Sequence, residues 1–186
     1  MRIIAGFLKG KKILMPKDNK TRPLKDLTKE SIFNIINHSN KFDANLNDSN
    51  VLDLFSGIGS FGIECLSRGA KKVTFVENYH EVLPILEQNL VNLKTVKNYK
   101  IIEQNIYDEK TFSNLNDKFN IIFLDPPYKD KNLFKIFKAI EKNKILDKDG
   151  IIIMHRHKKE KDVFPINLKI IYEKNYGISK IIFLSS

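Results

Sequence analysis

The sequence predicts a doubly wound α/β fold: a mostly parallel sheet of seven strands, ending in an antiparallel hairpin and preceded by a small hairpin-and-helix extension. Three observations carry this reading. Short, β-branched apolar runs alternate with longer amphipathic ones over residues 51–155, as in successive βαβ units. Several of those runs are apolar at consecutive positions, as strands covered on both faces must be. The C-terminal segment "LKIIYEKNYGISKIIFLSS" instead holds two apolar stretches around a glycine turn, which makes a hairpin that adds antiparallel strands at one edge.

Taken in order, "VLDLF" (51–55), "KVTFVE" (72–77), "YKIIEQ" (99–104), "NIIFLD" (120–125) and "GIIIMH" (150–155) read as strands. Helical segments are expected near 59–69, 79–93, 108–116 and 130–143, with Pro84 fitting the second only if that helix starts a few residues late. The polar stretch "NHSNKFDANLNDSN" (37–50) divides an extension, residues 1–40, from a main domain, residues 41–186. In the extension, "RIIAG" and "KKILMP" flank "FLKG" as a basic hairpin. "TRPLKDLTKESIFNIIN" then suits a helix starting just after Pro23, with Leu24, Leu27, Ile32, Phe33, Ile35 and Ile36 on its apolar face.

Composition narrows the function classes. The single cysteine, Cys65, rules out an internal disulfide and a cysteine metal cluster, and it reads as a small buried hydrophobe. With no run of 18 apolar residues and no signal-peptide stretch, a soluble cytoplasmic protein is expected, with no membrane association and a monomer as the default. The net charge of +10 calls for an anionic partner such as nucleic acid. Residues 1–30 hold nine Lys or Arg against three acids, and Arg2, Lys9, Lys11 and Lys12 of the hairpin are candidate phosphate contacts. A second basic cluster is "HRHKKEK" (155–161). His155 and His157 share a strand face but lack a third ligand, which argues against a metal.

Two loops carry the chemistry. "VLDLFSGIGSFGIE" sets a glycine turn between strand and helix, where ligands bind in this architecture. Gly57, Gly59 and Gly62 complete a G-x-G-x-x-G pattern that fits a dinucleotide or S-adenosylmethionine. Asp53, four residues before Gly57, would repel a pyrophosphate but suits the ammonium of a methionine moiety. Glu77 ends the next strand, where an acid can accept both ribose hydroxyls. The second loop, Asp125-Pro126-Pro127-Tyr128, closes the fourth strand. An exocyclic base amine is a poor nucleophile because its lone pair is delocalised into the ring. Two fixed oxygens accepting its N–H bonds, the Asp125 carboxylate and the Pro126 carbonyl, localise that pair and stabilise the developing positive charge. Tyr128 offers a stacking face for an unstacked base.

These motifs resemble those of class I S-adenosylmethionine-dependent methyltransferases that act on exocyclic amines. "MRIIAGFLKGKKI", "TRPLKDLTKESIFNII", "LSRGAKKVTFVE" and "YGISKIIF" narrow the resemblance to the RsmD family, over essentially residues 1–184. It implies a Rossmann-like methyltransferase fold and methyl transfer to the N2 amine of one guanine in 16S ribosomal RNA, with the small ribosomal subunit or an assembly intermediate as partner. Asp53, Phe55, Gly57, Gly59, Glu77, Asn78, Asn105 and Ile106 would then line the S-adenosylmethionine site. Asp125, Pro126, Pro127 and Tyr128 would hold the guanine. Arg22, Pro23, Asp26 and Lys29 would border and help close the site, with Arg22 and Lys29 facing RNA. The chain departs from the family pattern at Asn105 (commonly an acid), Lys29 (commonly Arg) and His155 (commonly Glu). The competing readings are an adenine-N6 methyltransferase on DNA or RNA, a non-catalytic RNA-binding or assembly factor, and, more distantly, a dinucleotide oxidoreductase.

Overall fold

The computed structural model describes residues 1–16 and 24–186. Twelve elements follow in the order α1 (Asp26–His38), β1 (Asn50–Leu54), α2 (Ser60–Ser67), β2 (Lys72–Glu77), α3 (Leu83–Asn92), β3 (Tyr99–Glu103), α4 (Glu109–Ser113), β4 (Phe119–Leu124), α5 (Leu133–Lys142), β5 (Leu146–His157), β6 (Lys169–Tyr176) and β7 (Ser179–Ser185). The seven strands form one sheet in the order β3-β2-β1-β4-β5-β7-β6. β1 to β5 pair in parallel, and β7 enters antiparallel between β5 and the edge strand β6. Strand order reverses between β1 and β4, the position where an open α/β sheet leaves a crevice at its carboxyl end. Among the described residues no helix is long and apolar enough to cross a membrane.

Period-two alternation divides the core into two layers. Val51, Phe75, Ile121, Phe123, Ile151 and Ile153 face the layer that holds α1, α2 and α3. Leu52, Leu54, Ile122, Leu124, Ile152 and Met154 face the layer that holds α4 and α5. Pro84 falls in the first turn of α3, where its missing N–H costs nothing. Within α1 the buried face is Thr28, Lys29, Ile32, Phe33 and Ile36. Leu27, expected on that face, is 83% exposed because it falls one position before this helical stripe.

The N-terminal extension is fastened by buried polar groups. Its hairpin closes through the Arg2–Lys12 bridge. Glu64 of α2, wholly buried, accepts the backbone N–H groups of Ile4 and Ala5, each at 2.9 Å, and Arg68 Nε at 2.9 Å. Lys29 Nζ of α1 lies 3.5 Å from the same carboxylate. Ser67 Oγ accepts from Leu8 N and donates to the Ala5 carbonyl. From α3, the buried Asn89 amide accepts from Leu14 N at 2.7 Å and donates to the Ile58 carbonyl in the glycine loop. Phe33, Phe61 and Phe123 stack from α1 through α2 to β4, with centroids 5.2 and 3.9 Å apart.

Removing one partner of a buried charge pair strands the other without solvation. Glu64→Gln leaves the buried Lys29 ammonium with only the half-exposed Asp26, 3.7 Å away, and weakens the hold on Ile4 and Ala5. The expected loss is about 3 kcal/mol or more of unfolding free energy by denaturant titration, against under about 1 kcal/mol if the clasp contributes little.

Candidate active site

Strand register brings the acids together. Asp53 pairs with Phe123, Leu54 with Leu124, and Leu124 with Met154. One step beyond that last pair, Asp125 and His155 stand on the same face as Asp53, the α2 face. Asp125 Oδ1 and His155 Nδ1 are 2.7 Å apart, and His155 is 8% exposed.

The glycine loop follows directly from β1. Phe55, Gly57 and Gly59 have φ of 59°, 53° and 81°, so the chain turns sharply through left-handed conformations. A Cβ on Gly59 would lie 2.5 Å from Leu86 Cδ1, and one on Gly62 would lie 2.3 Å from the Phe75 ring. Those contacts explain the second and third glycines, since α2 packs too closely on β2 and α3 to admit side chains. Asp53 Oδ2 accepts the Gly62 N–H at 2.9 Å, capping α2 from the neighbouring strand. At the end of β2, Glu77 accepts the N–H groups of Gly57, Asn78 and Tyr79, each at 2.8 Å. The carboxylate is thereby locked against the glycine loop.

The loop after β4 is gripped by one guanidinium. Arg156 is 1% exposed. Its Nη1 donates to the carbonyls of Pro127 (3.0 Å) and Tyr128 (3.1 Å), and its Nη2 donates to that of Asp130 (2.9 Å). Its Nε faces the Asp162 carboxylate at 3.1 and 3.2 Å. Tyr107 donates its hydroxyl to Asp130 Oδ2. Burial, then that hydrogen bond, push the Tyr107 hydroxyl above its usual range. The Tyr128 hydroxyl shares a hydrogen bond with Ser179 Oγ at 3.1 Å, and its ring meets those of His155 and His157 edge-on at 6.0 and 5.4 Å.

Both loops open on one cleft of about 580 Å³. Of the residues expected from the sequence, Asp53, Phe55, Gly57, Glu77, Asn78, Asp125, Pro126, Pro127 and Tyr128 line it. Gly59, Asn105 and Ile106 do not. The Asn105 side chain turns back to accept the Tyr107 N–H at 3.0 Å, and Ile106 packs into the layer under α4 and α5. Tyr107 lines the cleft instead, as do Leu24 of the extension, Tyr79, Asp130 and His155. Arg2, Lys9, Lys11 and Lys12 are exposed on the hairpin. Lys29, expected at the RNA surface, is wholly buried because its ammonium compensates Glu64 and lies 3.7 Å from Asp26. The basic cluster at 155–161 is likewise not a uniform surface patch, since Arg156 points inward to the loop. Arg22 and Pro23 fall outside the described residues.

Burial raises the Asp53 carboxyl from its ordinary 3.8 to about 8; the Gly62 N–H opposes the rise, and the charges of Asp125 and Glu77 add to it. Between those two values the unfolded chain has released this proton while the folded chain keeps it. The stabilisation is thus complete at low pH and lost as pH rises through about 8. Asp53→Asn removes the dependence. The unfolding free energy of the variant relative to wild type should increase by more than about 2 kcal/mol between about pH 5 and about pH 9. A difference constant across that range would contradict the buried-acid account.

Comparison with known proteins places this geometry. Residues 1–185 match the family described as "Conserved hypothetical protein 95". The chain is 32% identical over 179 residues to "Ribosomal RNA small subunit methyltransferase D" of Haemophilus influenzae, covering 96% of this chain and 90% of the relative. It is 30% identical over 152 residues to the protein of that name from Escherichia coli K12, covering 82% and 72%. Among solved structures, the Escherichia coli protein yhhF, described as a methyltransferase, superposes with a TM-score of 0.82 at 27% identity, over 99% of this chain and 96% of that one. The match along nearly the whole sequence, with the seven-stranded sheet and the two loops at its switch point, shows that the chain belongs to the RsmD family, whose fold is that of the S-adenosylmethionine-dependent methyltransferases.

Proposed function

We propose that this protein transfers a methyl group from S-adenosylmethionine to the exocyclic N2 amine of a guanine in small-subunit ribosomal RNA. The observation that carries the reading is the shared cleft in which the glycine loop, Glu77 and Asp53 face the Asp125–Tyr128 loop. The relatives' names support ribosomal RNA of the small subunit as substrate.

The residues present fit the methyl donor. Asp53 is a buried carboxyl whose ionisation is costly until a cation arrives, and the donor carries an ammonium. Glu77, fixed by three backbone N–H groups, retains acceptor capacity for a ribose diol. The sharp turn at Gly57, which lines the cleft, lets backbone approach a ligand closely. When bound, the donor supplies a methyl group on a positively charged sulfur, already activated for displacement.

The chain's own work is to hold the acceptor amine. Asp125 and the Pro126 carbonyl accept its two N–H bonds. The two prolines and the Arg156 fork keep that backbone rigid, so the oxygens are set in place before substrate arrives. Arg156 engages the carbonyls of Pro127, Tyr128 and Asp130 and not that of Pro126. The nitrogen sheds one proton as it gains the methyl group, and Asp125 Oδ2, the oxygen not held by His155, is the acceptor. Tyr128 stacks on the base, its ring angle set by Ser179 and the two histidines. On the hairpin, Arg2, Lys9, Lys11 and Lys12 are exposed, as is Phe7 at 64%. Cations and a bare aromatic ring on one small hairpin suit an unpaired RNA strand.

The test offers methyl-labelled S-adenosylmethionine to small ribosomal subunits lacking the modification and digests the product to nucleosides. Label in N2-methylguanosine is expected, with Asp125→Ala lowering kcat about a hundredfold or more. Label in N6-methyladenosine would replace the proposed base, and undiminished activity of the variant would remove the mechanism.

A further inference from the structure

The structure assigns His155 a task that the loop motifs do not include. Resting on the function proposed above, we propose that His155 is the positioning residue of Asp125: its Nδ1–H holds carboxylate oxygen Oδ1, so that Oδ2 alone is presented to the amine, and the charge of the imidazole governs how strongly Asp125 accepts.

The geometry leaves few arrangements. At 2.7 Å, Nδ1 and Oδ1 share one proton. If it belongs to Asp125, the carboxyl is neutral and no longer an anionic acceptor. If it belongs to a neutral imidazole, Asp125 keeps its full negative charge and a fixed orientation, and Nε2 carries the lone pair. If the imidazole is doubly protonated, its positive charge offsets the carboxylate and weakens its pull on the positive charge that develops at the amine. The middle arrangement is the competent one. His155 is 8% exposed, so its ring is held rather than free to swing away. The position follows from strand register, since His155 pairs with Ile181 of β7 and Leu124 with Met154 beside it.

The groups around the pair are accounted for. From β1 comes the carboxyl of Asp53, and beyond it Glu77 of β2, whose charge together with that of Asp125 helps hold the Asp53 proton in place. From the loop comes Tyr128, whose hydroxyl meets Ser179 of β7. From β5 itself comes His157, two residues on, whose ring also meets that of Tyr128 edge-on. Arg156 lies on the opposite face, engaged with the loop carbonyls and Asp162. No cation among these described groups competes with His155 for Asp125.

Two variants separate positioning from packing. In His155→Asn the side-chain Nδ2 stands at the same distance along the chain as Nδ1, so it donates to Asp125 without titrating. In His155→Leu no donor remains. Relative to wild type, the Asn variant should retain kcat within about fivefold and show a pH–rate profile that differs from the wild-type one. The Leu variant should lose about tenfold to a hundredfold in kcat with KM for S-adenosylmethionine little changed. Nitrogen-15 spectra of the wild-type histidines should show the His155 proton on Nδ1, where it faces Asp125. A Leu variant with wild-type kcat, an Asn variant with the wild-type pH profile, or an unprotonated Nδ1 would each overturn the assignment. A wild-type protein without transferase activity would instead sink the proposed function, and the spectra would still decide the pairing.

Discussion

The parallel pairing of β1 with β4 is the constraint on which the site depends. Its register sets Leu54 beside Leu124, so the two chains leave the sheet at the same level and their loops meet. Alternation then turns Asp53 and Asp125 to one face, beneath the start of α2, and carries His155 of β5 to that face as well. No long-range reach by flexible side chains is needed. A shift of one residue in either pairing would send one carboxylate into the apolar layer under α4 and α5, where burial without a partner is costly.

Buried charge is used in two different ways around this arrangement. Arg156 and Glu64 are both inaccessible, yet their hydrogen-bonding capacity is met by named partners. Arg156 holds the Pro127–Asp130 backbone; Glu64 accepts from the Ile4 and Ala5 N–H groups and from Arg68, and its charge is balanced by the Lys29 ammonium 3.5 Å away. These groups build shape. Asp53 is different, because its single backbone donor does not offset its burial and the neighbouring acids oppose its ionisation. A carboxyl kept in that state favours whichever ligand brings a positive charge to it. The cleft thus gives up stability at high pH, as functional sites commonly do, and under the proposed function the ammonium of the methyl donor recovers it.

Much of this was legible in the sequence. The five parallel strands, the C-terminal hairpin and the β1–β4 switch point follow from apolar runs and glycine turns, which are local signals. The two loops were legible because glycine and proline restrict the backbone wherever they stand. What escaped were residues whose role depends on a partner far along the chain. Arg156 reads as one cation in a basic run, although β5 alternation sends it inward under the loop at 127–130. Lys29 reads as a surface lysine until Glu64, itself unremarked within "SFGIE", is seen beneath it. His155 could have been found by aligning β4 with β5 in parallel, because the residue after Leu124 must neighbour the residue after Met154. Asn105 was placed at the cofactor by resemblance, but an asparagine before a short helix readily closes a turn on its own backbone, and here its amide oxygen accepts the Tyr107 N–H.

Under the proposed function, methyl donor and target amine meet in the cleft between the glycine loop and the Asp125–Tyr128 loop. A second cavity of about 540 Å³ lies between α4 and α5, lined by Ile106, Phe112, Phe134 and Lys138, and it provides an internal control. The most direct measurement is a crystal structure with S-adenosylhomocysteine and guanosine bound. The account requires the amino-acid end at Asp53, the ribose at Glu77 and the guanine amine at Asp125. Density for the nucleoside in the α4–α5 cavity, with the switch-point cleft left open, would contradict it.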